Sequence, residues 1–223
     1  MVAGMRKKST NLPINQIICG DCRDIMKNIP DGSVDLILTD PPYGIDYDKV
    51  QGSRPREKKR RAIIGDKKEM NLGFLLERPE LKIVFGAQNF WRQIPTIGRW
   101  LCWDKRVLKA NQALGSQFEL AWISKEMGYY KIYRVLHSGY INNDLYYGES
   151  KRWHPTQKPI NLMRLIIEDY SKPGDVILDP FCGSGSTCIA AAITGRKYIG
   201  IDIDKAYCRI VRERIERIKR RLM

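Results

Sequence analysis

A chain of 223 residues with 43% hydrophobic residues can bury one sizeable α/β core, and its formal net charge of +14 calls for a polyanionic partner. No apolar run reaches membrane-spanning length and the N-terminus lacks a signal-peptide core, so no membrane association and a cytoplasmic location are expected. The six cysteines then read as reduced thiols; Cys19 and Cys22 have zinc-like spacing, but no second Cys/His pair completes a site, so no metal is expected.

In chain order, residues 1–13 form a basic lead-in. Gln16 to Cys19 reads as a short strand ending at Gly20-Asp21, and Cys22 to Ile29 as a brief helix closed by Pro30. Val34 to Thr39 is short, apolar and β-prone, as a buried parallel strand should be. Residues 45–68 are polar, rich in Lys/Arg and broken by Gly52, Pro55 and Gly65, which predicts a long mobile loop. A helix is expected over Met70 to Leu76 and a buried strand over Leu81 to Phe85. Residues 99–105 and 118–124 read as an antiparallel strand pair. Residues 126–153 are rich in Tyr, Gly and Asn with no clean period, and are expected to be an irregular insertion suited to target recognition. Leu162 to Tyr170 is helical, Asp175 to Asp179 a strand, Ser186 to Thr194 a small-residue helix, and Lys197 to Ile201 another strand. Asp204 has the look of an N-cap for Lys205 to Leu222, an amphipathic helix with Tyr207, Ile210, Val211, Ile215, Ile218 and Leu222 on one face.

The charge is unevenly spread. Residues 49–61 carry seven Lys/Arg against Glu57, residues 205–223 eight against Glu213 and Glu216, and residues 6–8 three more. One such run is read as well by a solvated face; three around a nearly neutral remainder point to nucleic acid. Lys58, Lys59, Arg60 and Arg61 are the candidate phosphate contacts.

Two stretches carry chemistry. Asp40-Pro41-Pro42-Tyr43-Gly44 follows a strand and must turn sharply, because neither proline donates a ladder hydrogen bond and Pro41 holds Asp40 extended. A stiff turn at a strand's carboxyl end is where open α/β sheets bind ligands. It offers a carboxylate, a carbonyl and an aromatic face, a set that suits a flat group bearing an exocyclic amine. A helix-start or β-turn proline pair would read the same stretch without function. Asp179-Pro180-Phe181-Cys182-Gly183-Ser184-Gly185-Ser186-Thr187 likewise follows a strand and opens a helix, with Asp202 ending the next strand where a Rossmann-like unit binds ribose hydroxyls. The third glycine of the dinucleotide fingerprint and the lysine of a triphosphate loop are both missing, so a nucleoside without a pyrophosphate fits better than NAD or ATP. A plain α/β turn with a capping Asp is the bland alternative.

Taken together, Asp40-Pro41-Pro42-Tyr43, the glycine turn and His154-Pro155-Thr156-Gln157-Lys158-Pro159 resemble the amino-methylating DNA methyltransferases, in the motif order of their β class. The likeness spans about residues 16–216. It implies a single α/β domain over 1–223, built on the Rossmann-like S-adenosylmethionine-dependent methyltransferase sheet. That sheet would have seven strands, circularly permuted, with a small inserted recognition region. It also implies S-adenosyl-L-methionine as cofactor. Phe181, Gly183, Gly185 and Thr187 would line its methionine part, Asp202 would take the ribose hydroxyls, and Asp179 would be a further cofactor-binding residue. Asp21 would bind the adenine amine with Cys22 as pocket wall, while Thr156 and Lys158 would lie near the carboxylate end. Asp40, Pro41, Pro42 and Tyr43 would be catalytic, acting on a base flipped out of double-stranded DNA. A C5-cytosine mechanism needs a nucleophilic Cys in this turn, and none is there. Asp before Pro-Pro leans to N6 of adenine by resemblance. N4 of cytosine, adenine in RNA and a catalytically silent nucleic-acid-binding module stay open, as do a homodimer and a restriction endonuclease partner.

Overall fold

The computed structural model describes residues 12–46, 63–106, 116–126, 130–138, 141–142 and 153–222. Residues 1–11 of the basic lead-in and residues 47–62, with Lys58, Lys59, Arg60 and Arg61, lie outside them, as do 127–129, 139–140 and 143–152 of the expected insertion.

An eight-stranded sheet runs in the order β1-β10-β9-β2-β3-β5-β4-β6. Its strands are β1 (Gln16–Cys19), β2 (Leu36–Thr39), β3 (Leu81–Phe85), β4 (Arg99–Asp104), β5 (Phe118–Ile123), β6 (Lys131–Arg134), β9 (Val176–Asp179) and β10 (Lys197–Asp202). From β1 to β3 all neighbours are parallel. β5 then pairs antiparallel with β3 and with β4, and β6 adds parallel to β4 at the edge. The strands in the parallel half are near-continuous runs of Leu, Ile and Val because helices and turns cover both faces. Leu36 and Leu38 point to one core with Ile83, Phe85 and Ile177; Ile37 points to the other with Val84, Leu178 and Ile199. The first core is closed by α3 (Ile160–Tyr170), α4 (Ser186–Ile193) and α5 (Lys205–Leu222), the second by α1 (Cys22–Ile25), α2 (Gly73–Leu76) and the turn at Ala87–Phe90.

The chain leaves β2 towards β3 on one side and leaves β9 towards β10 on the other, so the sheet order reverses between β9 and β2. The carboxyl ends of these two neighbours open a crevice at that switch point, the usual ligand position in an open α/β sheet.

Four expectations are corrected. The main sheet has eight strands where seven were expected, because β6 joins its edge. β6 comes from the stretch expected to be irregular, and β7 (His137–Ser138) and β8 (Ile141–Asn142) pair beyond it. Only Tyr133 of β6 is well buried, so the strand lacks the alternation that would reveal it. The helix expected from Met70 begins at Gly73, because the Asn71 carboxamide accepts the Gly73 N–H (2.8 Å) and Gln93 holds Leu72 and Met70 in a non-helical lead-in. The helix expected over Cys22 to Ile29 is α1 followed by a 3₁₀ turn, Met26–Asn28. The antiparallel pair, the strand at Leu81–Phe85 and the final helix form as expected, and Asp204 does cap α5 by accepting the Ala206 N–H at 2.7 Å. Among the described residues no helix is long and apolar enough to cross a membrane.

Candidate active site

A cavity of about 260 Å³ occupies the switch point. The turn after β2 forms one wall. Asp40 there has both carboxylate oxygens engaged: Tyr43 donates its hydroxyl to Oδ1 and the Lys158 ammonium donates to Oδ2. Lys158 arrives from the segment leading into α3. Its ammonium also lies 3.2 Å from Oε2 of Glu119 on β5 and 5.3 Å from the centre of the Phe85 ring. Lys105 completes the chain of charges, donating to Glu119 Oε1 at 2.6 Å.

The charge states follow from burial weighed against these partners. Burial pushes the Asp40 carboxyl above the ordinary range, with Lys158 pulling it back and Glu119 adding to the rise. Burial opposes the charge on Lys158, but Asp40 and Glu119 outweigh it and hold the ammonium well above its usual range. Glu119 falls to about 2, because Lys158 and Lys105 outweigh its own desolvation. Tyr43 is pushed up by burial and by the Asp40 charge, so its hydroxyl stays a donor. Its ring packs edge-on to Phe90 (centroids 6.3 Å apart) and against Gly86.

The glycine turn after β9 forms the opposite wall. Asp179 Oδ1 accepts the Thr39 hydroxyl (2.8 Å) and the Phe181 N–H (3.1 Å), fastening the turn to the end of β2. Burial raises its carboxyl to about 6, against hydrogen bonds from Thr187, Thr39 and Phe181. Asp202, at the end of β10, accepts the Gly183 N–H on Oδ2 and the Asp204 N–H on Oδ1, both at 2.8 Å. It too rises to about 6 through burial, with those two N–H groups opposing. At the outer rim, Asp21 caps α1 and takes the Arg23 guanidinium on both oxygens, which holds its carboxyl below the usual range against a modest burial penalty.

Asp21, Cys22, Asp40, Pro41, Pro42, Tyr43, Thr156, Lys158, Asp179, Phe181, Gly183, Thr187 and Asp202 all line this one cavity. Gly185 is not among the lining residues. At φ +84 it heads α4, and a Cβ there would lie 2.3 Å from Cγ1 of Val211, so this glycine lets α5 pack against the turn. Lys158 differs in another way. Its ammonium faces Asp40 and Glu119, at the Asp-Pro-Pro-Tyr end, and is not held out for a cofactor carboxylate.

Three contributors escaped the sequence reading. Glu119 is one, a lone acid in an apolar strand, and that oddity was its signal. Arg214 is fully buried in α5 and donates to the Ser184 carbonyl, bracing the glycine turn. Tyr207 packs against His154 with the rings tilted (centroids 4.6 Å), closing the side of the cavity where Thr156 donates its N–H to His154 Nδ1 at 3.2 Å. Among the described residues no His/Cys/Asp/Glu cluster is disposed to hold a metal.

Comparison with known proteins agrees with this architecture. The DNA methylase family of the N6/N4 type matches residues 103–213. YubD of Escherichia coli (strain K12), a protein named as a methylase, is 30% identical over 227 residues, covering 93% of this chain and 92% of its own. Two solved structures share the fold. TTHA0409 of Thermus thermophilus, complexed with S-adenosyl-L-methionine, has a TM-score of 0.57 at 19% identity, covering 92% of this chain and 94% of its own. The cytosine-N4-specific PvuII DNA methyltransferase has a TM-score of 0.57 at 15% identity, covering 92% and 89%. With its Asp-Pro-Pro-Tyr turn and glycine turn facing each other across one crevice, the chain belongs to the amino-methylating (N6-adenine/N4-cytosine) DNA methyltransferases, whose methyl donor is S-adenosyl-L-methionine.

Proposed function

We propose that the protein methylates the exocyclic N6 amine of adenine in double-stranded DNA, acting on a base turned out of the duplex. The observation that carries this reading is the placement of Asp40, the Pro41 carbonyl and the Tyr43 ring on the same cavity as the glycine turn and Asp202. The donor set suits the cofactor. Asp202 is a carboxylate for a ribose diol, Cys22, Phe181 and Ile203 are apolar walls for a purine, and Asp21 is an acceptor for its amine. When bound, S-adenosyl-L-methionine supplies an electrophilic methyl group on a positively charged sulfur.

The chain's own work is positioning and electrostatics. An adenine amine is a poor nucleophile because its lone pair is delocalised into the ring. Asp40 and the Pro41 carbonyl would accept its two hydrogens, which favours a tetrahedral nitrogen with a localised lone pair. To take up that amine, Asp40 gives up the Tyr43 hydroxyl on Oδ1, and the released Tyr43 ring stacks on the base. The proton lost from the methylated nitrogen goes to the Asp40 carboxylate and from there to solvent. The basic stretch at 49–61, with Lys58, Lys59, Arg60 and Arg61, grips the phosphates beside the turned-out base.

The test is nucleoside mass spectrometry of DNA and of RNA after incubation with isotopically labelled cofactor. N6-methyladenine in DNA alone is the expected product. N4-methylcytosine, or label in RNA alone, would replace the reading.

A further inference from the structure

Asp40 is asked to receive a neutral amine while a full ammonium already sits on one of its oxygens. The Lys158 side chain is only 6% exposed, so water does little to screen that contact. A cation held by a single buried carboxylate is a stronger competitor than any neutral N–H donor. The structure supplies a second carboxylate at this point. Glu119, from a different strand, stands 3.2 Å from the same ammonium, and Lys105 pins its other oxygen at 2.6 Å. The four side chains alternate in sign as Lys105, Glu119, Lys158 and Asp40, and their formal charges cancel.

We infer that Glu119 is a positioning residue for methyl transfer, sharing the Lys158 ammonium with Asp40 so that the Asp40 carboxylate can turn to the target amine. The inference rests on the proposed role of Asp40. Glu119 touches neither base nor cofactor in this account; it acts through Lys158. The charged and titratable groups facing Asp40 are Tyr43 on its own turn, Lys158 before α3, Glu119 on β5 and Asp179 at the end of β9.

Glu119→Gln keeps the shape of the side chain and removes its charge. Lys158 then has Asp40 as its one full counterion, so kcat should fall at least tenfold while cofactor affinity, read by calorimetry, stays within twofold. Loss of the Glu119 charge also makes Asp40 easier to ionise, so the acid limb of the rate profile should move to lower pH. Lys105→Met should move that limb the opposite way, because it leaves the Glu119 charge uncompensated. Glu119→Asp should recover most of the rate. In a Lys158→Met background, Glu119→Gln should change kcat less than twofold, since the residue through which it acts is gone.

The assay uses the whole chain, labelled S-adenosylmethionine and DNA from a methylation-deficient host, long enough for any short recognition sequence to recur. A wild-type rate for Glu119→Gln, or an equal proportional loss with and without Lys158, overturns the inference. Should Glu119→Gln fail to fold, an acid limb that stays put or moves down in Lys105→Met overturns it instead. Asp40→Ala run alongside separates the two readings. Turnover surviving in Asp40→Ala removes the proposed role of Asp40 itself, whereas a dead Asp40→Ala beside an unaffected Glu119→Gln removes Glu119 alone.

Discussion

Gly86→Ala tests whether the Tyr43 ring must sit where it does. Gly86 closes β3 with φ +64, and a Cβ built there would lie 2.0 Å from Cε1 and 2.3 Å from Cζ of Tyr43. Carbon atoms in comfortable contact stand ~3.5 Å or more apart, so the ring must retreat by about 1.5 Å. The left-handed backbone adds about 1 kcal/mol of strain for alanine, and the crowding about 1–2 kcal/mol more. A stability loss of about 2–3 kcal/mol follows, readable in urea as a lower midpoint with an unchanged slope. Retreat of the ring also breaks the edge contact with Phe90 and displaces the face that is to stack on the base. Methyl transfer to DNA should therefore drop more than tenfold in kcat/KM while cofactor affinity is kept, as a Cβ at Gly86 meets Tyr43 and Gly86 is not among the residues that line the cavity. A folded Gly86→Ala protein with the wild-type kcat/KM would refute the reasoning, because the ring would then have moved without consequence.

Removing the Asp202 carboxylate with Asp202→Ala should weaken cofactor binding by about 1–3 kcal/mol, the usual loss when polar hydroxyls are buried without an acceptor. Because burial raises this carboxyl to about 6, the ionised acceptor is present above that pH and is lost as pH falls through it. Calorimetry should show affinity declining from pH 7.5 to pH 5 in the wild type and much less in Asp202→Asn; parallel declines would exclude Asp202 as the titrating group. Neutralising Lys58, Lys59, Arg60 and Arg61 should flatten the log–log salt dependence of DNA binding by about 0.9 for each phosphate no longer neutralised. Matching changes at Arg217, Lys219, Arg220 and Arg221 should do less, because α5 is committed to packing and Arg217 already lies over Trp153 at 5.5 Å. An unchanged slope in the four-residue mutant of the basic stretch would remove it from the interface.

What is legible in the sequence is local. Val34 to Gly44 announces its strand and its stop within eleven residues, since apolar β-formers run straight into prolines. The apolar stripe of α5 is equally plain, and Tyr207, Val211, Ile215 and Ile218 are buried along it. What stays hidden depends on partners far away in the chain. By sequence Arg214 is one more charge of a basic helix, and only the fold places the Ser184 carbonyl against it. Lys158 has the look of a cation open to a ligand because Asp40, 118 residues earlier, and Glu119 cannot be paired with it by spacing. Gly185 has the look of a ligand contact because a glycine's reason for being small lies in whatever packs on it, here Val211. The edge strand β6 buries a single side chain well and so leaves no periodic trace.

The crossing of the chain through its own sheet sets a timetable for folding. β9 sits between β10 and β2, with four strands beyond β2, yet it is the ninth of the ten strands among the described residues in chain order. Until residue 179 has emerged, β2 lacks a partner on one side, and β1 waits for β10, which ends at Asp202. The Thr39–Asp179 bond that joins the two walls of the cavity spans 140 residues, and Arg212 reaches the Ile17 carbonyl across 195. Contacts of such sequence separation are slow to form, and strands awaiting partners invite pairing with other chains. Growth on the ribosome therefore leaves an open, edge-exposed half-sheet until β9, β10 and α5 follow.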